Sequence, residues 1–591
     1  MLRVPAQTTT HPYRRNVRRA VAGVTAPLAL ATALGVGAQV AAADDQQARP
    51  VDREAASIGV RRPAEPLSRP PTANRPPPSF RLTPRRAVAI AGGAGAVSEA
   101  RSEHGRLEPR AYVRGSDSWQ VSFYAGGVER AQVYVDDRGG RVLEAWEGPA
   151  VDVFLARGYE GAFGGSLNSP WLWLSLCVLF VLPFVDPRRP LRLLHLDLLV
   201  LLSFGISQAF FNAAKIELSV ALVYPVLGYI LVRMLVAAWR PSRPRGPLVP
   251  FAPPAALALG LVLLLGLRIG LNVVDSSVID VGYAGVIGAD RIEHGQEIYD
   301  GSFPEIRGDT YGPLTYLAYI PFEQLFPWSG TYDDLPAAHA AAIAFDLLTV
   351  VGLLLLGRRL RPGRPGTLLG LALAYAWAAY PYTALTLQSN ANDALLAALL
   401  VFALVAVASA PVRGALAGAG AAAKAVPLAV APLLARGTGR LRVRSGAIAL
   451  VTLAGVLILT TLPFLPDGGL RELYDRTIGY QAARGSPFSV WNLEPAVAPL
   501  RTPLKLLVAG LALATVFVPR RRDAVQVAAL GAAVIVAVQI LAGHWFYIYA
   551  VWFAPFAFVA LLAPHVPAGN GGTRAQGTDG EHPRPAEPVP A

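Results

Sequence analysis

From Pro170 to Leu562 the chain is a succession of long apolar runs separated by short polar connections. Their lengths match the ~20 residues an α-helix needs to cross a bilayer. The runs fall at 170–186, 195–213, 218–239, 252–273, 336–356, 367–387, 393–410, 444–463, 503–518, 524–543 and 545–563, which predicts eleven crossings. The front of the chain has another pattern. Trp119, Val121 and Phe123 alternate with polar positions, as do Ala131, Val133 and Val135, and Asp137-Arg-Gly-Gly140 turns the chain into RVLEAW. Period-two alternation around such turns predicts antiparallel strands. Residues 83–104 precede them as one predicted helix, weakened by Gly92, Gly93 and Gly95. The expected fold is therefore an all-α polytopic membrane protein carrying a small α+β domain over 82–150.

Composition agrees with that reading. The 591 residues are 53% hydrophobic and only 16% charged, against about 25% charged in ordinary globular proteins. The single Cys177 excludes a disulfide framework and a cysteine-based zinc site. A net charge of +13 would suggest nucleic acid in a soluble protein, but here the arginines cluster between apolar runs. PRRPLR at 187–192, RPSRPR at 240–245, RRLRPGR at 358–364, RLRVR at 440–444 and PRRR at 519–522 are expected on the cytoplasmic side. No nucleic-acid partner is needed.

Arg3, Arg14, Arg15, Arg18 and Arg19, an apolar run to about Val40, and Ala41-Ala42-Ala43 make residues 1–43 a signal peptide or a signal anchor. The Pro/Arg-rich stretch 44–81 reads as a stiff linker. The small domain is thus expected outside the cell membrane, with 170–245 as accessory helices, 250–563 as the core and 564–591 as a disordered cytoplasmic tail. Two apolar stretches, 311–327 and 414–435, are broken by proline, and full crossings there would put RRLRPGR and RLRVR on the wrong side. They are read as re-entrant or interfacial half-helices lining a cavity.

With that topology the acidic residues are one-sided. The loop at 274–312 holds Asp275, Asp280, Asp290, Glu293, His294, Glu297, Asp300, Glu305 and Asp309. Val281, Ala284, Val286, Ile287 and Ile292 suggest an amphipathic helix in the membrane interface. Most of these acids read as solvated loop residues. A second outside loop, 464–502, offers Arg476 and Arg484 for a phosphate, and Tyr480 and Trp491 for a sugar ring or prenyl chain. Each arginine reads equally well as a contact to anionic headgroups. His544 and the polar cluster Gln388, Asn390, Asn392 and Asp393 stand at other outside ends. Lys424, the costliest charge in the apolar region, either snorkels to cytoplasmic headgroups, the favoured reading, or meets an anionic ligand. Asp136 and Asp137 read as turn residues, and His104 stands alone. Phosphate-loop, dinucleotide-binding and HExxH patterns are lacking.

Two segments carry a resemblance. SWQVSFY…VYVDDRGGRVLEAW resembles the PepSY type of small exported domain. Asp280-x-x-Tyr283, Gly295-x-x-x-Tyr299, Thr310-Tyr311-Gly312-Pro313, SNANDA at 389–394 and AAAKAVP at 421–427 together resemble GT-C glycosyltransferases over about 250–563. The nearest group is the family 87-like, polyprenyl-phosphate-mannose-dependent mannosyltransferases of actinobacteria, which show Tyr-Pro-Pro where this chain has Tyr311-Gly312-Pro313. The resemblance implies a polyprenyl-phosphate sugar donor and a cell-envelope acceptor. It implies Asp280 as the base that deprotonates the acceptor, with Asp290 as substitute, and inversion at the anomeric carbon. Donor phosphate and substrate contacts would come from Arg476, Arg484, His544, Lys424, Tyr311 and Trp491, without metal or soluble cofactor. The competing reading is a lipid or polysaccharide transporter, which would place ionisable groups in mid-span; a non-catalytic sensor is the third.

Overall fold

The computed structural model describes residues 67–114, 117–148, 151, 165–240, 246–303, 308–330, 335–483 and 486–567. The signal or anchor at 1–43, the linker up to 66, Glu305, Arg484 and the tail from 568 lie outside the described residues.

The small domain is a five-stranded antiparallel meander, β1 (Leu67–Ser68), β2 (Glu108–Arg114), β3 (Ser118–Ala125), β4 (Val128–Asp136) and β5 (Val142–Glu147), in sequential order. The predicted single helix is two, α1 (Pro84–Ala91) and α2 (Gly95–His104), because Gly92 and Gly93 break the run. Leu67–Ser68 pairs with β2 although it lies in the stretch read as linker. Ala87, Ala91, Val97 and Ala100 pack on Trp119, Val121, Phe123, Ala131, Val133 and Val135, the residues the alternation selects.

Asp137 is more than the turn residue expected. It is 3% exposed and accepts the backbone N–H of Arg81 (2.6 Å) and Leu82 (2.9 Å) and the indole N–H of Trp119 (2.9 Å). Asp137→Ala strands those donors and is expected to destabilise the small domain by about 3 kcal/mol, read as faster hydrogen exchange across β2–β5 in the full chain.

Near the end of β5, Glu147 lies against Glu99, with Glu103 and Glu217 adding negative charge. Burial first, then Glu99, raise its carboxyl pKa to about 7. The folded domain therefore keeps a proton that the unfolded chain releases near the ordinary glutamate value. That stabilisation is complete below the ordinary value and is lost as pH rises through about 7. Exchange of the β5 amides is expected to be slower at acidic than at alkaline pH, after correction for intrinsic rates, and Glu147→Gln should flatten the difference.

The rest of the described chain is helical. Six helices are long and apolar enough to cross a membrane, or seven if one bent pair is a single span. They include α3 (Ile216–Trp239), α4 (Pro254–Val274), α6 (Pro336–Leu360) and α11 (Val443–Thr461), with α5 (Asp280–Glu293) between α4 and α6. Among the eleven predicted runs, 170–186, 393–410, 503–518 and 524–543 form shorter helices, whereas 195–213 falls in one of the six candidate spans, Leu193–Asn212, interrupted at Ser203. On α11, Val451, Ile458 and Leu459 are 66%, 50% and 70% exposed, an apolar face suited to lipid.

The bent pair positions the polar chemistry. α7 (Gly363–Ala379) and α8 (Pro381–Gln388) meet at 58°. Pro381 has no N–H to continue the ladder, and Arg268 of α4 takes over the released carbonyls. Its Nη1 donates to Trp377 O (3.0 Å), Ala378 O (2.9 Å) and Thr383 Oγ1 (2.9 Å), and its Nη2 to Asp346 Oδ1 (2.6 Å). Asp346 also accepts Trp377 Nε1 at 2.8 Å. This ion pair and the Arg233–Asp197 pair are mid-helix charges that the sequence reading did not weigh. Arg268 and Asp346 are sealed in packing, each 2% exposed, and lock the bend that delivers residues 388–393.

The two proline-broken stretches are indeed short helices. Residues 313–325 form Pro313–Leu317 and Ile320–Leu325. Residues 410–436 form a hairpin of α10 (Ala410–Ala423) and a second short helix, Val426–Arg436, with α9 (Asp393–Val405) before it. The legs are antiparallel, since Arg413 at one end bonds Leu434 O and Ala435 O at the other. Legs of 14 and 11 residues rise roughly 15–20 Å, short of a hydrocarbon core of about 30 Å. Of the basic connections, Arg522 meets the open end of this hairpin through Gly437 O. Arg361 bonds Ala563 O and Val566 O, and Arg192 bonds Pro247 O.

Candidate active site

The tip of the hairpin and the start of α5 converge at the opposite end. The connection before α5 runs beside the end of α8: Ser277 N and Ile279 N donate to Gln388 O and Ser389 O, each at 3.1 Å. Asn390, in left-handed backbone conformation, donates to Ser276 Oγ (2.9 Å) and Ser277 O (3.0 Å), and its own Oδ1 accepts from Asn272 (2.8 Å). Asn392 reaches Val281 O at 3.4 Å. Asp280 is thereby fixed as the first residue of α5, half-buried, where the positive end of the helix dipole favours a negative charge.

α5 is not the lipid-facing interfacial helix expected. Residues 281–289 are all buried. Gly282, Gly285 and Gly288 recur at one face and admit close neighbours. A Cβ at 282 would stand 2.5 Å from Asn390 O, one at 285 would stand 2.7 Å from the Tyr319 ring, and one at 288 would collide with Tyr316. That glycine spacing was the available sign that the helix is packed on all sides.

Lys424 stands at the hairpin tip and does not reach the basic end of the bundle. Its Nζ donates to Asp393 Oδ1 at 2.7 Å, and its side chain is 12% exposed beside a fully buried carboxylate. The favoured cytoplasmic snorkel is thus replaced by an internal ion pair, because the antiparallel hairpin carries residue 424 away from the arginine-rich end. Asp393 Oδ1 also accepts Trp552 Nε1 at 2.7 Å, while Oδ2 is buried without a hydrogen-bond partner. The ammonium lies 5.5 Å from the Trp552 ring and 5.8 Å from that of Tyr311. Trp552 stacks on Tyr549 at 4.3 Å, and Tyr549 meets His544 at 6.0 Å. Nδ1 of His544 is 2.8 Å from Ser486 Oγ. A continuous polar and aromatic wall therefore links Asp393, Lys424, Trp552, Tyr549 and His544.

The same tip explains Gly312. Its N–H donates to Ala423 O at 3.1 Å, and a Cβ there would strike Ala422 O. Proline at 312 would lose that bond and clash, so Tyr-Gly-Pro suits a hairpin seated directly on the segment. Tyr311 itself is held through its carbonyl, which accepts Tyr299 OH at 2.8 Å.

Arg476 is braced by acids. Nη1 bonds Asp309 Oδ2 at 2.6 Å and Nε bonds Glu472 Oε1 at 2.8 Å. Burial alone would depress its pKa, but these two carboxylates outweigh burial and raise it. Glu472 is correspondingly held below the ordinary range, chiefly by Arg476. Asp290 lies at the far end of α5 from Asp280 and contacts His294 at 3.1 Å. Trp491 is 9% exposed and donates its indole N–H to Ile540 O at 2.7 Å, so it packs the loop against the bundle and does not present its ring to a substrate. Arg484 lies outside the described residues. Among the described residues, no cluster of three His, Cys, Asp or Glu side chains could hold a metal ion.

Residues 310–542, which include Tyr311, Asp393, Lys424 and Arg476, match the model of glycosyltransferase family 87. Over this stretch the chain is similar to that family, which supports a family 87-like glycosyltransferase. No curated protein matches it. The family 87 match is narrower than the 250–563 of the motif resemblance and leaves Asp280 and His544 just outside its limits. A membrane glycosyltransferase requires a glycosyl donor and an acceptor; of the wall around Lys424, Asp393 and Lys424 lie within the matched segment, whereas His544, Tyr549 and Trp552 follow it. Asp393 and Trp552 are the residues that sequence reasoning left out of the site. Asp393 was visible within the SNANDA motif, whereas Trp552 was hidden in an aromatic run that reads as a membrane belt.

Proposed function

We propose that the protein transfers a sugar, mannose or another hexose or pentose, from a polyprenyl phosphate to an extracytoplasmic cell-envelope acceptor, with inversion. The observation that carries this reading is that residues 388–392, which hydrogen-bond the segment around Asp280 at the start of α5, run directly into Asp393, the partner of Lys424 at the hairpin tip. The acceptor hydroxyl oxygen attacks the anomeric carbon as the bond to the phosphate oxygen breaks. The electron pair leaves with the phosphate, and the acceptor proton passes to the Asp280 carboxylate. A phosphate is already a good leaving group, so one carboxylate suffices. Lys424 and His544 are assigned to the phosphate, whose charge grows as the bond breaks. Arg476, committed to Asp309 and Glu472, is assigned to the rim. Asp290 is the substitute base if the acceptor enters from the other end of α5.

The arginine-rich end of the bundle favours the cytoplasm, and the Lys424 end is accordingly assigned to the outer face of the plasma membrane. The exposed apolar face of α11 gives a prenyl chain a lateral approach. The test is transfer by the full chain in lipid, with radiolabelled polyprenyl-phosphate sugars compared with nucleotide sugars. Label entering a cell-envelope acceptor from the prenyl donor alone supports the proposal. Transfer from nucleotide sugars alone, or movement of the donor across the bilayer without transfer, defeats it.

A further inference from the structure

The end of the bundle opposite Lys424 holds a second concentration of charge that glycosyl transfer leaves unused. Arg413, Arg436 and Arg522 close the base of the hairpin and are 2%, 4% and 4% exposed. Arg413 bonds Leu434 O, Ala435 O and Ser445 Oγ; Arg436 bonds Val516 O and Arg520 O; Arg522 bonds Gly437 O, Thr515 O and Leu433 O. These partners are neutral, and no carboxylate is among them. Burial, then Arg436 and Arg413, lower the pKa of Arg522 to about 9. Nη1 of Arg436 is buried without a hydrogen-bond partner. The net positive field here is built into the packing and does not arise from mobile surface chains alone.

Beside this base is an open basin of about 600 Å³ lined by Gly439, Arg440, Arg521, Arg522, Asp523 and Gln526. Gly439 N donates to Arg522 O at 2.8 Å, which fixes the two basic connections side by side. The one acid, Asp523, is engaged in capping the helix Ala524–Ile540 through Gln526 N at 2.8 Å. Both connections also carry exposed apolar residues: Leu441 and Val443 are 45% and 78% exposed, and Phe517 and Val518 are 64% and 38% exposed. Guanidinium pairs match phosphate oxygens, and flanking apolar side chains match acyl chains.

We propose that this basin binds the phosphate of an anionic lipid headgroup, clasped by Arg440 and Arg521 above the base of the hairpin. Basic recesses between membrane helices are suited to such headgroups, and the apolar flanks distinguish a lipid from a soluble ion. Native mass spectrometry of the detergent-solubilised full chain, titrated with phosphatidylglycerol, phosphatidylcholine or inorganic phosphate, tests this. Arg440→Gln with Arg521→Gln, both exposed positions, is expected to weaken phosphatidylglycerol binding about tenfold. Arg358→Gln with Arg359→Gln removes equal charge from exposed positions at the same end and is expected to change it less than about twofold. Phosphatidylcholine should bind weakly to every form. Equal losses in the two double variants, or equal binding of the two lipids, would overturn the proposal by reducing it to general attraction between a basic face and a membrane. Inorganic phosphate binding as tightly as the lipid would overturn the lipid assignment in favour of a soluble anion.

Discussion

Asp280→Asn is expected to lower transfer by about three orders of magnitude, within the range for loss of a positioned general base, while the fold persists. Asparagine keeps the size of the side chain, and the backbone around position 280 is fixed by the Ser277–Gln388 and Ile279–Ser389 hydrogen bonds. The substitution therefore removes the proton acceptor with little disturbance of the α5 start. Donor binding should be nearly unchanged, so the loss is expected in kcat rather than KM. Asp290→Asn, at the other end of the same helix, should leave most of the rate. The reverse ranking would exchange the roles of the two carboxylates. Comparison of kcat, KM and melting temperature for the two variants checks this.

The second large effect is expected at the Lys424–Asp393 pair. Lys424→Met leaves a carboxylate that is 0% exposed without its cation, and is expected to destabilise the protein by about 3–5 kcal/mol. Asp393→Asn strands the ammonium instead, though its amide oxygen still accepts Trp552 Nε1. The double variant Lys424→Met, Asp393→Asn contains neither buried charge and is expected to recover most of the stability. It should not recover transfer, because the cation assigned to the donor phosphate is gone. Melting temperature and transfer rate across the double-mutant cycle separate the two roles. Recovery of both would make the pair purely structural.

Much of this architecture is legible in the sequence because its causes are local. Apolar run length locates most of the helices, and prolines mark the broken segments. Alternation selects the small domain's core, whereas the break at Gly92-Gly93 splits what reads as a single helix. The site is less legible because its contacts join distant segments. Lys424 looked free to snorkel, since nothing adjacent to it shows that the hairpin tip meets Asp393 and Trp552. α5 looked amphipathic because its glycines were not read as a contact face for Tyr316 and Tyr319. Trp491 looked available because Ile540, which takes its indole proton, is 49 residues away. Asp137 looked like a turn residue because its three donors come from the preceding helix entry and the middle of the sheet.

The anomeric configuration of the product tests the central claim most directly. A donor of known configuration on polyprenyl phosphate is supplied to the full chain in lipid, and the first product is analysed by nuclear magnetic resonance beside that of Asp280→Asn. Single displacement with one carboxylate predicts a product of opposite anomeric configuration and no detectable product from the variant. Retention of configuration, or equal product from Asp280→Asn, would contradict it.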